Sequence, residues 1–242
     1  GHSIYIERHD SAGNLVGSTS IIDTDGDLFG PPSIQVDPGD NSIFVTFQRE
    51  DSVTGLESIR GQKFGPDLVA SGAERNLATD ALTSGYPFRN DTAVLTNGTY
   101  VTVYQQWDVG KNATEDGVGV RLSNANGSNA VTFSITEADG DPGYYPKVAA
   151  LSDGGFVVTW QDNLARYIHH RRYDDSGAAV GVLVTERVVT NTNHKITALS
   201  DGGYIIGWTQ LAGREGDGSA QSDVVLQRYS AAGTRVGTQL WV

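Results

Sequence analysis

The stretch Lys147–Gln161, KVAALSDGGFVVTWQ, reads as two short strands around a tight Ser152-Asp153-Gly154-Gly155 turn. In its second half Phe156, Val158 and Trp160 share one face by period-2 alternation, and β-branched and aromatic residues dominate. The two glycines suit positive-φ positions of a hairpin turn. The same phrase returns at Lys195–Gln210 as KITALSDGGYIIGWTQ, so Trp160 and Trp208 stand 48 residues apart (160 to 208). Self-similarity at such a period marks a repeat protein.

Weaker copies of this first hairpin run from Ser33 to Gln48 and from Thr92 to Gln105. Phe47, Tyr104, Trp160 and Trp208 then fill one equivalent slot, always aromatic. A second hairpin alternates with the first. Its copies carry a basic residue, a small turn and an apolar strand: Arg8 to Gly13, Lys63 to Asp67, Arg121 to Gly127, Arg172 to Gly177 and Arg228 to Gly233. Two hairpins make a four-stranded unit, and four-stranded units of this length are the signature of propeller blades. The aromatic slot is expected to pack one unit on the next. Ala70–Leu82 is the one segment open to a helical reading, and the repeat alignment assigns it to a strand or irregular structure.

The chain is therefore expected to be one all-β domain over residues 1–242. It divides into a half unit at 4–31 and units at 32–85, 86–143, 144–192 and 193–242. The architecture it predicts is a small β-propeller of about five blades, with a β-sandwich or an open β-solenoid as alternatives. About 18 strands are expected where five full blades need about 20. With 242 residues the chain can bury roughly three quarters of its unfolded surface, enough for a sizeable core.

A formal net charge of −12 argues against nucleic acid as partner, because that binding rests on clustered Lys and Arg. No apolar run approaches the ~20 residues of a membrane span, so membrane insertion is not expected. Cysteine is absent, which removes disulfides and thiolate zinc sites. Methionine is absent as well, and the opening Gly1-His2-Ser3 reads as a cleavage scar on a module with flanking domains in a longer parent protein.

ALSDGGFVVTWQ (150–161), HRRYDDSGAAVG (170–181) and LQRYSAAGTRVG (226–237) resemble a repeat of large secreted bacterial proteins of the hemolysin (RTX) and adhesin-like type. The resemblance covers roughly 144–242 and is dilute before that. It implies an extracellular or cell-surface location and a calcium-rich setting, and it implies no enzyme. The glycine-aspartate nonapeptide of that family is missing here.

Two loops between units are the most distinctive polar segments. In Asp23 to Pro31, and again in Ala138 to Pro146, Asp-Gly-Asp is followed by aromatics and proline. Alternate carboxylates at Asp23, Asp25 and Asp27, and at Asp139 and Asp141, suit a calcium ion, which takes six to eight oxygens. The alternative is a solvated acidic turn. Phe29, Tyr86, Trp107, Tyr144 and Tyr145 are candidate glycan-stacking residues in or beside these loops, or else covers for the seams between units.

Gln48, Gln105, Gln161 and Gln210 recur just past the aromatic slot, either pairing strands or lining a central channel. His169 and His170 are expected to point to opposite faces of a strand and so not to share a metal. No nucleophile–base or phosphate-cradling motif is present. Glu50, Asp51, Asp108 and Asp162 follow equivalent strand ends and are the carboxylates a propeller glycosidase would pair. The functional expectation is a non-catalytic, lectin-like carbohydrate-binding and adhesion module. A structural spacer and a glycoside-active enzyme are the alternatives.

Overall fold

The computed structural model describes residues 3–22, 26–55, 57–79, 89–106, 117–124, 126–135, 143–162, 164, 166–188, 193–213 and 220–242. These form eighteen strands in five antiparallel sheets. The first sheet is a lone hairpin, β1 (Ser3–His9) with β2 (Leu15–Ile22). The next contains β3 (Gly26–Val36), β4 (Ile43–Asp51), β5 (Glu57–Phe64) and β6 (Arg75–Thr79). The third contains β7 (Asn90–Val94), β8 (Tyr100–Gln106), β9 (Gly117–Ser123) and β10 (Val131–Ile135). The fourth contains β11 (Tyr144–Ala150), β12 (Phe156–Gln161), β13 (Tyr167–Tyr173) and β14 (Ala179–Arg187). The last contains β15 (Lys195–Ala198), β16 (Tyr204–Gly213), β17 (Ala220–Tyr229) and β18 (Arg235–Trp241).

Each four-stranded sheet is a meander in chain order, because short turns join neighbours and leave no crossover. The first strands β3, β7, β11 and β15 lie against one another in succession. The last strands β10, β14 and β18 carry mostly exposed residues. The sheets thus stack face to face with their first strands innermost.

Four apolar clusters fill the four seams, and each holds one aromatic of the repeated slot. Phe47 meets Ile6 of the lone hairpin, and Tyr104 meets Ile59 and Leu77 of the sheet before it. Trp160 meets Val118 and Val120, and Trp208 meets Val157 and Ile168. Every slot aromatic therefore faces the preceding sheet. Polar bonds repeat across the seams too. Arg8 donates to the Pro66 carbonyl, and Arg172 does the same to Ala231 one repeat position on. The lone hairpin is thus seated on its neighbour as a full sheet would be.

The Ser152–Gly155 turn corrects one sequence expectation. Gly154 has φ +93°, but Gly155 does not adopt a positive φ. A Cβ on Gly155 would sit 2.5 Å from the Tyr173 carbonyl oxygen, so close approach of the β13 backbone is what demands glycine there. Gly203 repeats this against Tyr229. The Asp23–Pro31 segment is also not loop throughout. Gly26–Phe29 pair with β4, and a register shift between Phe29 and Ser33 absorbs Gly30, Pro31 and Pro32. In the 70–82 segment, Arg75–Thr79 is strand.

Candidate functional site

Backbone register places four residues in one slot on the innermost strands. Ser33 lies opposite Thr46, Asp91 opposite Val103, Lys147 opposite Thr159 and Lys195 opposite Gly207. Each partner immediately precedes a slot aromatic, so the four are equivalent positions in successive sheets. They are chemically unlike: a hydroxyl, a carboxylate and two ammonium groups. The Ser33 hydroxyl donates to Asp91 Oδ1 at 2.8 Å and accepts from the Thr92 amide at 3.3 Å. Asp91 Oδ2 accepts from the Val148 amide at 3.2 Å, which ties β7 to β11.

Burial pushes the Lys147 ammonium below its usual range. Asp91 opposes that shift, and the like charges of Lys195 and Arg89 add to it. Three cations and one carboxylate thus act on one another on or beside the innermost strands of a chain whose net charge is −12.

Beside Lys147 the ladder carries a β-bulge. Tyr144 pairs with Gln161 and Lys147 with Thr159, so β11 spends one extra residue there. Tyr145 takes φ +54° immediately before Pro146. For a bulky side chain the left-handed region costs about 1–2 kcal/mol, and such strain collects where a side chain must be re-aimed. The result is a Tyr144–Tyr145 pair with centroids 6.5 Å apart. The Arg89 guanidinium lies 4.8 Å from the Tyr145 ring centroid, a cation–π contact. The Arg89 carbonyl accepts from the Gln105 amide at 2.9 Å. Arg89 therefore stands opposite a repeat glutamine, as Phe29 does opposite Gln48 and Tyr144 opposite Gln161.

Of the residues expected to bind, Tyr144 and Tyr145 meet at this bulge. Tyr86, Trp107, Asp23, Asp25, Asp139 and Asp141 lie outside the described residues, as do the side chains of Phe29 and Asp27. Among the described residues no group of three or more His, Asp or Glu is placed to hold a metal. Arg89, Asp91 and Lys147 were not singled out from sequence. The signal available was the lysine that opens both strong copies of the first hairpin, Lys147 and Lys195.

Two of the carboxylates past the slot, Asp51 and Asp162, are engaged by nearby backbone amides. Asp51 Oδ1 accepts from the Val53 and Thr54 amides, and Asp162 Oδ1 from the Arg166 and Tyr167 amides, so each caps its own turn. Asp108 lies outside the described residues. Two of the repeat glutamines hold local bonds: Gln48 Nε2 donates to Glu57 at 2.8 Å, and Gln210 accepts from Trp208 Nε1 at 3.1 Å. His169 and His170 do diverge. His169 stacks on Trp160, while His170 bonds the Tyr204 hydroxyl of the next sheet at 2.9 Å. A concavity of ≈ 250 Å³ is lined by Arg49, Asp51, Ser58, Arg60 and Glu74, with Arg49 2.9 Å from Glu74.

Solved structures share this arrangement of stacked four-stranded sheets. The Hadza microbial sialidase Hz136 superposes at a TM-score of 0.60 and 12% identity, over 98% of this chain and 50% of that one. The chain has a β-propeller fold. Its blades also match the exo-β-1,3-galactanase of Phanerochaete chrysosporium at a TM-score of 0.52 and 13% identity, over 100% of this chain and 54% of that one. The hydrazine synthase of Kuenenia stuttgartiensis matches at a TM-score of 0.52 and 13% identity, over 90% and 68%. This propeller spans about half the length of the sialidase and the galactanase. No protein-family model matches the sequence, and no curated protein matches it. At such identities the likeness is one of fold, and glycoside hydrolysis and hydrazine synthesis on one fold leave function to the site.

Proposed function

We propose that this propeller is a non-catalytic carbohydrate-binding module that takes a glycan bearing a carboxylate at the Tyr144–Tyr145 bulge. The observation that carries the reading is the strained Tyr145, held at φ +54° beside Arg89 and Lys147. Aromatic rings suit the apolar face of a sugar, and the cations suit an acidic substituent. The overall charge of −12 disfavours long polyanions but leaves a single carboxylate attracted at short range, because fields are screened over about 10 Å. Turn-capping roles for Asp51 and Asp162 favour binding over acid/base catalysis.

The likeness of residues 150–161, 170–181 and 226–237 to repeats of RTX-type and adhesin-like proteins supports a bacterial, secreted or cell-surface setting. The calcium proposed for that setting rests on the spacing of Asp23, Asp25 and Asp27 and on Asp139 and Asp141. Removing it with EDTA then lowers the melting temperature, since a ligand of the folded state stabilises by mass action. An unchanged midpoint discards those ligands.

Isothermal titration with uronic-acid oligosaccharides and their neutral counterparts tests the main reading. The acidic sugars should bind, binding should weaken with salt, and Tyr145→Ala or Lys147→Gln should reduce it about tenfold or more. No binding at millimolar concentration makes the module a spacer. Release of reducing ends would make it an enzyme.

A further inference from the structure

We infer that Arg89 is a charge-operated latch on the Tyr145 ring: the carboxylate of an acidic sugar draws the guanidinium off the ring and frees the face on which that sugar stacks. The latch presupposes that the bulge binds acidic glycans, and it makes Arg89 the residue that selects them over neutral ones. In the structure the Arg89 guanidinium lies over Tyr145, 4.8 Å from the ring centroid. One face of the ring is therefore covered, and a sugar ring and a guanidinium cannot share it.

The two partners differ in freedom. Tyr145 holds φ +54° immediately before Pro146, within the bulge of β11. Proline fixes its own φ and restricts the residue before it, and just beyond it the Val148 amide is tied to Asp91 at 3.2 Å. The backbone thus sets where the Tyr145 ring stands. Arg89 is anchored through its carbonyl, which accepts from the Gln105 amide at 2.9 Å. Its guanidinium forms no ion pair among the described residues, and it ends a long stem with many rotamers. The arginine is the member that moves.

The surrounding charges favour an anion as the trigger. Asp91 is already engaged, Oδ1 by the Ser33 hydroxyl and Oδ2 by the Val148 amide. Arg89 and Lys147 repel each other, as the downward push on the Lys147 ammonium shows. A carboxylate between the two relieves that repulsion, and a neutral hydroxymethyl group leaves it in place. Guanidinium and carboxylate also form charge-assisted hydrogen bonds. An acidic sugar therefore replaces the contact that it breaks, whereas a neutral sugar only breaks it. The repeat itself asks for no charge here: by register Phe29 and Tyr144 stand opposite their glutamines where Arg89 stands opposite Gln105.

The test titrates the whole 242-residue chain with a uronic-acid trisaccharide, and with the same trisaccharide after reduction of its carboxylates to hydroxymethyl groups. Arg89→Gln should tighten the neutral sugar about threefold, the size of an exposed cation–π contact. It should weaken the acidic sugar about tenfold, the loss of a hydrogen bond between charged groups. Arginine side-chain NMR reads the latch in the unaltered protein. Ring current should move the Arg89 signals upfield in the free chain, Tyr145→Leu should abolish that shift, and saturating acidic sugar should remove it. Free protein without the shift overturns the latch. So do Arg89 signals that stay shifted in bound acidic sugar, or an Arg89→Gln variant that weakens both sugars alike, and these outcomes leave the binding reading standing. If the unaltered chain binds neither sugar, the binding reading fails and the latch fails with it.

Discussion

His170 is kept neutral by burial in its blade seam. It is 1% exposed, bonds the Tyr204 hydroxyl at 2.9 Å and sits edge-on to Tyr204 and Tyr229. Loss of hydration pushes its pKa down from 6.5 to about 3, with His169 and Arg235 adding like-charge repulsion. The sign of the consequence follows from proton counts. Between pH 6.5 and pH 3 the unfolded chain binds a proton here that the folded chain refuses, so stability falls as pH falls through that window. Linkage puts the loss at about 2 kcal/mol between pH 7 and pH 5. The repeat itself names the control, since Leu226 fills the equivalent position in the next blade. His170→Leu should cost stability at pH 7 by leaving the Tyr204 hydroxyl unpaired, about 1–3 kcal/mol. It should also remove about 2 kcal/mol of the decline between pH 7 and pH 5. Urea unfolding of both proteins at half-unit pH intervals reads this difference directly. Parallel pH profiles for the two proteins would refute a buried neutral imidazole.

Gly155→Ala should destabilise by about 1–3 kcal/mol, because the new methyl meets a backbone oxygen that the strand pairing holds in place. Gly203→Ala should match it, and thermal melts of the two variants make the comparison; a neutral outcome at both would show that the turn has room. Leu68 occupies a turn position filled by glycine in other copies and holds φ +66° while 4% exposed in the first seam. Leu68→Gly relieves strain of about 1–2 kcal/mol but gives up the burial of a leucine, about 2–5 kcal/mol. Net loss is expected by chemical denaturation, and a gain would mean that strain dominates.

The blade plan was legible because burial writes itself into sequence. Each slot aromatic is enclosed by a neighbouring blade, so Phe47, Tyr104, Trp160 and Trp208 had to stay large and apolar, and their spacing exposed the unit. The central ring was illegible for the opposite reason. Ser33, Asp91, Lys147 and Lys195 share a position but no chemistry, and only backbone register reveals them as one set. The bulge at Tyr145 was equally silent, since one inserted residue leaves no hydrophobic period. Glycine and proline at 26–32 suggested a loop, yet the ladder resumes beyond them because a register shift accommodates both prolines. The sequence also holds Asn-x-Ser/Thr triplets that read as turns at Asn90, Asn97, Asn112 and Asn126. Asn97 and Asn126 are turns, their side-chain oxygens accepting from the Thr99 and Ser128 amides, whereas Asn90 opens strand β7 and Asn112 lies outside the described residues.

The constant orientation of the slot aromatics gives the molecule a direction. Every blade brings the ring that closes the seam behind it and leaves its own forward face for the blade that follows. A chain emerging from its amino end would meet, at each step, a surface already folded and waiting to be covered. Assembly would then run like a zip, with the unfinished state always confined to the leading blade.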